Sequence, residues 1–153
     1  MKQAIIALGA DHAGFLIKEE IKKYLMENNF EIIDLGTDKN NCSVDYPVYA
    51  EKVSEAILKK QANLGVLCCG TGIGMSIVAN KFPGIRAAVC ESEFCAEMSR
   101  RHNDANVLCL GSRVIEESTA VKLVQIFVNT TFEKGRHENR INLIHKIEST
   151  LFK

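Results

Sequence analysis

A thiol and three alternating glycines lie together in the middle of the chain. Cys69 ends an apolar run and is followed by Gly70, Gly72 and Gly74, and a second apolar stretch begins at Met75. This pattern is typical of a buried strand that turns into a helix, and the N–H groups of such a turn stabilise negative charge. The same surroundings favour the thiolate form of Cys69. The loop therefore predicts a base or nucleophile beside an oxyanion site, and the alternative is a tight turn with a buried cysteine.

The glycine spacing differs from that of the common nucleotide-binding loops. Met75 stands where the third glycine of a G-x-G-x-x-G motif would fall, and no Gly-Lys-Ser/Thr sequence is present. The loop therefore indicates neither a dinucleotide nor a nucleoside triphosphate.

Further polar candidates follow other apolar runs. Asp11 and His12 follow the first run, and Arg113 follows the last one. Arg136 and Arg140 are four residues apart at the start of the final helix, so they share one face and could clamp a phosphate. The alternative for His12 is a surface histidine, and the alternative for Arg136 and Arg140 is a solvated helix end. Two arginines at a helix N-terminus oppose the helix dipole, however, unless an anion compensates them.

His102 lies in the polar segment Arg101–Asp104, between the predicted fourth helix and fifth strand. This position is at the amino ends of the predicted strands, whereas Cys69 and the glycine turn lie at the carboxyl ends. A catalytic His102 would have to serve a neighbouring subunit across a two-fold interface. Without such a neighbour it is a loop histidine.

The composition predicts one soluble globular domain. The 153 residues are 46% hydrophobic and 25% charged, with 19 basic and 19 acidic residues, so no net field favours nucleic acid or membranes. The sequence contains no long apolar run and no signal-peptide pattern. Six cysteines occur without a C-x-x-C motif, which favours reduced thiols in the cytoplasm. Cys68 and Cys69 would point to opposite faces of a strand, which argues against a shared metal.

Short apolar runs alternate with amphipathic helices along the whole chain. The pattern predicts an α/β fold, a three-layer, doubly wound, Rossmann-like sandwich with a five-stranded parallel sheet in the order 2-1-3-4-5. Strands 1 and 3 then flank the switch point, so that Asp11 and His12 converge with the glycine turn. The predicted strands are Ala4–Gly9, Phe30–Leu35, Leu64–Cys69, Ile85–Cys90 and Val107–Leu110.

Seven motifs in order resemble one family, the type B ribose-5-phosphate isomerases. The related galactose 6-phosphate and allose 6-phosphate isomerases share the scaffold. The resemblance runs from the first strand to the final helix and rests on the segments 10–14, 45–47, 69–76, 79–81, 101–106, 111–113 and 136–140.

The resemblance implies an aldose–ketose isomerase without metal or organic cofactor, in which Cys69 moves a proton between C1 and C2 through a cis-enediolate. Some relatives have an acidic residue near position 75 instead, so this chain resembles the cysteine branch. His102, helped by Asp11, would open the furanose ring. The remaining implied site residues are the oxyanion-binding turn (Gly70, Thr71, Gly72, Ile73, Gly74), the sugar-hydroxyl ligands Tyr46 and Asn103, and the phosphate ligands His12, Arg113, Arg136 and Arg140.

The resemblance also implies a homodimer, or a dimer of dimers, with shared active sites and with the C-terminal helix (about 137–150) on the partner. Three other functions are weighed against the pentose phosphate isomerase. They are a hexose 6-phosphate isomerase, a non-catalytic sugar-phosphate-binding subunit and a thiol-based redox or acyl-transfer enzyme. Both Cys69 and His102 are present, which argues against the binding subunit. The thiol enzyme lacks a nearby resolving cysteine and a clear triad.

Overall fold

The computed structural model describes residues 3–151, in which parallel strands alternate with helices. Among these residues no helix is both long and apolar enough to cross a membrane. The elements in chain order are β1 (Ile5–Ala10), α1 (Phe15–Glu27), β2 (Glu31–Asp34), α2 (Tyr46–Leu58), β3 (Leu64–Cys69), α3 (Ile73–Ala79), β4 (Ala87–Val89), α4 (Glu93–Arg101), β5 (Val107–Gly111), α5 (Glu117–Asn129) and α6 (Arg136–Leu151).

The sheet confirms the predicted fold class and corrects the predicted strand order. All strand pairs are parallel, and the order is β2-β1-β3-β5-β4 rather than 2-1-3-4-5. The physical reason is tertiary packing against β3, which buries all five residues of β5 and leaves the three residues of β4 half-buried at the edge. A fully buried strand belongs in the interior of a sheet, so β5 pairs with β3 and the short β4 takes the edge.

Helices cover both faces of this sheet. Side chains from α1, α4 and α5 pack with Cys68 on one face, and side chains from α2 and α3 pack with Cys69 on the other. The expected divergence of the two neighbouring cysteines is therefore confirmed. Cys69 lies on the side where α2 and α3 begin, at the carboxyl end of β3.

The final helix, α6, buries side chains in its first turns, and its later turns are joined to the segment before β4 by two hydrogen bonds. Arg86 Nη1 bonds His145 Nε2 over 3.2 Å, and the Gly84 N–H donates to Glu148 Oε1 over 3.0 Å. The buried residues of α6 are His137 and Ile141. Leu143, Ile147 and Leu151, by contrast, are 58–70% exposed. An amphipathic helix ordinarily buries its apolar stripe, so α6 presents an apolar surface that the chain itself does not cover.

Candidate active site

A cleft of about 240 Å³ opens at the carboxyl ends of β1 and β3, where the sequence predicts the site. Ligands in doubly wound folds bind at this edge of the sheet. Its walls combine a thiol, a carboxyl group, an imidazole, a phenol and a guanidinium. The lining residues are Asp11, His12, Ala13, Tyr46, Cys69, Gly70, Thr71, Gly74 and Arg113.

The Cys69 sulfur lies at the base of the cleft and is held by the glycine turn. The backbone N–H of Gly72 donates a hydrogen bond to Sγ over 3.2 Å. Gly72 has a φ of +78°, and a Cβ there would stand 3.1 Å from the backbone of Leu110. Glycine is therefore required at this position both by the left-handed backbone and by the close approach of β5.

The other cysteines differ from Cys69 in their surroundings. Burial raises the pKa of Cys68 and of Cys109 well above the ordinary value, and it raises that of Cys90 to about 11. These three side chains are thus thiols in the core. Cys42 and Cys95 are exposed and lie outside the cleft.

Backbone hydrogen bonds join the glycine turn to the loop after β5. Ser112 N–H donates to the Cys69 carbonyl over 2.8 Å, and Arg113 N–H donates to the Gly70 carbonyl over 3.0 Å. The guanidinium of Arg113 then covers Gly70, where a Cβ would lie 3.2 Å from Nη1. A positive charge therefore lies at the rim of the cleft.

The start of α3 supplies the rest of the turn. Ile73 is the first residue of α3 and is 55% exposed. Its N–H donates to the hydroxyl oxygen of Thr71 over 3.3 Å. The N–H groups in the first turn of a helix have no acceptor within the helix, so the turn can offer donors to an anion in the cleft.

Asp11 is fixed at the opposite wall. Its Oδ1 accepts the N–H of Gly14 over 3.0 Å, and its own N–H donates to the Cys68 carbonyl over 3.2 Å. The chain passes so close at Gly14 that a Cβ would lie 2.0 Å from the Cys68 carbonyl oxygen. Asp11 is therefore buried and held in one place beside the glycine turn.

His12 has a defined hydrogen-bonding state. Its Nδ1 accepts the N–H of Val44 over 3.1 Å. In the neutral ring the proton then resides on Nε2, which is free to donate to a ligand oxygen. The same hydrogen bond ties the loop before α2, and with it Tyr46, to the cleft.

Four predicted site residues lie away from this cleft. His102 follows the last residue of α4 at the amino edge of the sheet, as the sequence predicts. Asn103 lines a groove beside Ile144 and Ile147, and Arg136 and Arg140 belong to the first turns of α6. A single chain therefore does not bring these side chains to Cys69.

His137, for which the sequence predicts no role in the site, stacks on His102. The two rings are 4.2 Å apart between centroids and nearly parallel, at 10°. Glu133 lies beside them, with its Oε2 3.8 Å from His102 Nε2. His137 is only 3% exposed. The sequence does contain a signal for the burial of His137. This histidine lies four residues before Ile141, so both side chains lie on the same, buried face of α6.

Comparison with known proteins relates the whole arrangement to sugar-phosphate isomerases. Residues 6–144 match the Ribose/Galactose Isomerase family. Ribose-5-phosphate isomerase B of Escherichia coli is 46% identical over 94% of this chain and 95% of its own length. The chain belongs to the ribose/galactose isomerase family.

Solved structures support the same conclusion. Ribose-5-phosphate isomerase B of Clostridium thermocellum superposes with a TM-score of 0.93 at 46% identity, covering 95% of this chain and 98% of that protein. The type B enzyme of Trypanosoma brucei superposes with a TM-score of 0.91 at 42% identity, covering 96% and 100%. The resemblance inferred from the sequence motifs is thus confirmed.

Membership of the ribose/galactose isomerase family also bears on the two separated groups of residues. The family match extends from β1 into α6, so it includes both the Cys69 cleft and the His102–His137 pair. The protein is therefore an isomerase, and both groups of residues lie within the segment 6–144 that matches the family.

Proposed function

We propose that this isomerase interconverts ribose 5-phosphate and ribulose 5-phosphate through a cis-enediolate, with Cys69 as the base. The observation that carries the proposal is the position of Cys69 Sγ, in a cleft and within 3.2 Å of an N–H of the glycine turn. The names of the E. coli, C. thermocellum and T. brucei relatives support the choice of substrate.

In this reaction the Cys69 thiolate takes the proton from C2 of the open-chain aldose. The C2–H electron pair forms the C1–C2 double bond, and the carbonyl oxygen at C1 takes up the negative charge. The proton of the C2 hydroxyl passes to the neighbouring C1 oxygen of the cis-enediolate, which becomes the C1 hydroxyl. The sulfur then returns its proton to C1, and the C2 oxygen becomes the new carbonyl. The turn that contains Thr71 supplies donors to the enediolate, and each such donor is typically worth about 3 kcal/mol in the transition state.

The phosphate is assigned to two groups of the cleft, Arg113 and His12. Arg113 provides a guanidinium beside Gly70, and His12 provides the Nε2–H donor. This division suits the chemistry, because a permanent dianion is held by cationic groups, whereas the transient enediolate needs preorganised N–H donors. Arg136 and Arg140 of a second copy complete the phosphate site.

The proposed active unit is a homodimer with two shared sites. His102, Asn103, Arg136 and Arg140 lie away from the cleft of their own chain and would enter the cleft of the other copy. The uncovered apolar stripe of α6, together with Ile73 and Ile77 beside the cleft at 55% and 56% exposure, supplies surface for such an interface. Pairing of two dimers is compatible with the same sites.

We further propose a single-domain enzyme of the cytoplasm that needs neither metal nor organic cofactor. Its six cysteines are free within the described structure, which suits a reducing compartment. Equal numbers of basic and acidic residues give no reason to expect nucleic acid or a membrane surface as partner.

Substrate identity is tested by measuring isomerisation of ribose 5-phosphate, allose 6-phosphate and galactose 6-phosphate under one set of conditions. The proposal predicts the largest kcat/KM with ribose 5-phosphate. Turnover of a hexose phosphate alone would keep the mechanism and replace the substrate. Binding of all three sugars without turnover would indicate a sugar-phosphate-binding subunit.

The shared site is tested with ribose 5-phosphate by mixing Cys69→Ala and His102→Ala, each of which should turn over this substrate poorly, after dissociation and reassociation. A mixed dimer would contain one doubly altered site and one intact site. With random pairing, activity should return to about a quarter of the wild-type value. Continued inactivity of the mixture, with mixed dimers demonstrated by mass spectrometry, would contradict shared sites.

A further inference from the structure

We propose that Glu133 and His137 are positioning residues, which hold the His102 ring in the orientation needed to open the furanose ring of the substrate. The inference rests on the proposed function, in which His102 is the acid of that step. It concerns the cluster of His102, Glu133 and His137, whose donor atoms all lie within 4.8 Å of one another.

His102 alone has little to fix its side chain. It follows the last turn of α4, and its side chain is 35% exposed. An exposed histidine at a helix end samples several rotamers, whereas proton transfer requires one defined direction. The stacked His137 ring covers one face of the His102 ring at 4.2 Å and removes that freedom.

His137 is well placed to act as a fixed surface. It is the second residue of α6 and is buried, and its N–H donates to the Lys134 carbonyl over 3.2 Å. The preceding turn contains two consecutive residues with left-handed backbone, Lys134 at φ +63° and Gly135 at φ +59°. This tight turn fixes the start of α6, so the His137 ring is held over the end of α4.

Glu133 is anchored independently of His102. Its Oε2 accepts a hydrogen bond from Arg101 Nε over 3.2 Å and lies 3.0 Å from Nη2 of the same guanidinium as an ion pair. Its backbone N–H donates to the Arg101 carbonyl over 3.0 Å. Arg101 is itself paired with Glu97 at 3.0 Å. The carboxylate beside His102 Nε2 is therefore held from the side of α4.

This arrangement assigns the roles of the two His102 nitrogens. Glu133 Oε2 lies 3.8 Å from Nε2, which is too far for a hydrogen bond but close enough to favour a proton on Nε2 electrostatically. We therefore assign the proton exchange with the substrate to Nδ1. In ring opening the C1–O4 bond breaks, O4 takes the proton from Nδ1 of the protonated ring, and Asp11 of the other copy takes the proton from the C1 hydroxyl. The C1 carbonyl forms, and His102 is left neutral with Nε2–H directed at Glu133.

The surrounding charges are consistent with a neutral His137. Burial lowers the pKa of His137, and the nearby His102, Arg136 and Arg140 lower it further, against the opposing effect of Glu133. A neutral His137 can lie against a protonated His102 without charge repulsion.

The same cluster does not have the geometry of a metal centre. The lone pair of an imidazole nitrogen lies in the plane of the ring, and these two planes are nearly parallel at a centroid distance of 4.2 Å. A metal about 2.0 to 2.1 Å from both nitrogens could not lie in both planes. The observations therefore favour positioning over metal binding.

Two pairs of variants test the proposal in the full-length protein. His137→Ala and Glu133→Ala remove the contacts, whereas His137→Phe retains a flat ring and Glu133→Gln retains an acceptor. Each is assayed with ribose 5-phosphate, which is mainly cyclic, and with ribulose 5-phosphate, which is acyclic because its O5 carries the phosphate.

Both alanine variants should lower kcat with ribose 5-phosphate about tenfold, part of the ~10² to 10⁴ that an acid contributes. Turnover of ribulose 5-phosphate should change less than about twofold, and the conservative variants should recover part of the loss. ¹⁵N NMR should show the Nε2–H form of neutral His102 in the wild type and a mixture of tautomers in Glu133→Ala.

The contrary outcomes separate the two proposals. Equal losses with both substrates, in folded variants, would show that Glu133 and His137 have only a structural role. If His102→Ala selectively lowers ribose 5-phosphate turnover and the other variants do not, the positioning inference alone is wrong. If His102→Ala has no selective effect, the proposed role of His102 is wrong as well. Stoichiometric Co²⁺ binding that Glu133→Gln abolishes would identify a metal centre and overturn positioning.

Discussion

The Tyr46 ring lies directly against Gly74. A Cβ on residue 74 would stand 2.6 Å from Cζ of Tyr46 and 3.0 Å from its hydroxyl oxygen. Left-handed backbone does not explain this glycine, because the residue of the turn with positive φ is Gly72. Gly74 is needed for space, since it allows the phenol to form one wall of the cleft.

Replacement of Gly74 by alanine should therefore disturb the site while preserving the fold. The added methyl group would push the Tyr46 ring away from its position, and we expect kcat/KM for ribose 5-phosphate to fall about 10- to 100-fold. Steady-state kinetics, with circular dichroism to verify folding, provide the measurement.

Tyr46→Ala supplies the control for this prediction. If the clash with Tyr46 is the cause, Gly74→Ala should add little to the loss already produced by Tyr46→Ala. Additive losses in the double variant would mean that Gly74 acts on the turn itself and not through Tyr46.

The two nitrogens of His12 can be separated by substitution. Asn at position 12 can place an acceptor where Nδ1 bonds Val44, whereas Gln can place a donor near Nε2. If Nε2 binds the phosphate, His12→Asn should raise KM about 10- to 100-fold, and His12→Gln should raise it less. The reverse order would mean that the hydrogen bond to Val44 is the important contribution.

The buried His137 predicts a dependence of stability on pH. Its pKa is lowered in the folded protein, so the unfolded chain binds this proton more readily. Its contribution to stability is present above the unfolded pKa of 6.5 and is lost as pH falls below that value toward the folded pKa. The urea midpoint of the wild type should therefore decrease between pH 7.5 and pH 5.5.

His137→Phe should reduce this decrease, because the phenyl ring fills the site and does not titrate. Urea titrations of both proteins at each pH give the comparison. An identical slope in the two proteins would assign the pH dependence to other groups.

Charged residues placed in the apolar stripe of α6 should disrupt the proposed dimer interface. Leu143→Asp with Ile147→Asp should produce monomers by light scattering and remove most ribose 5-phosphate turnover, because each cleft would lose the groups supplied by the other copy. Phe94→Asp is the matched control, since Phe94 is 71% exposed on a different helix. Full activity in the charged monomer would contradict the shared site.

The local sequence was sufficient to predict the five strands and the crevice. Apolar runs gave the strands approximately, and the carboxyl ends of β1 and β3 fixed where Asp11, His12 and the glycine turn meet. The order of β4 and β5 was not predictable in this way. Both are short apolar runs, and the difference between edge and interior arises only from tertiary packing against β3.

His137 marks a second limit of local patterns. A histidine among Arg136, Glu138 and Arg140 is typical of a solvated helix end, and its burial depends on the stacked His102 ring, 35 positions earlier in the chain. Such contacts are set by the docking of α6 onto the end of α4. The spacing to Ile141 indicated the buried face but not the partner.

The variants Cys69→Ala and Cys68→Ala form a matched pair that tests whether Cys69 transfers the proton between C2 and C1. The two cysteines are adjacent in β3, but Cys69 lines the cleft and Cys68 lies in the opposite core. Ribose 5-phosphate is incubated in D₂O with each protein, deuterium at C1 of ribulose 5-phosphate is measured by NMR, and sugar-phosphate binding is followed by calorimetry. We expect Cys69→Ala to bind the sugar but to lose about 10²- to 10⁴-fold in isomerisation and deuterium incorporation, and Cys68→Ala to retain both. Near-normal deuterium incorporation by Cys69→Ala would show that another group is the base.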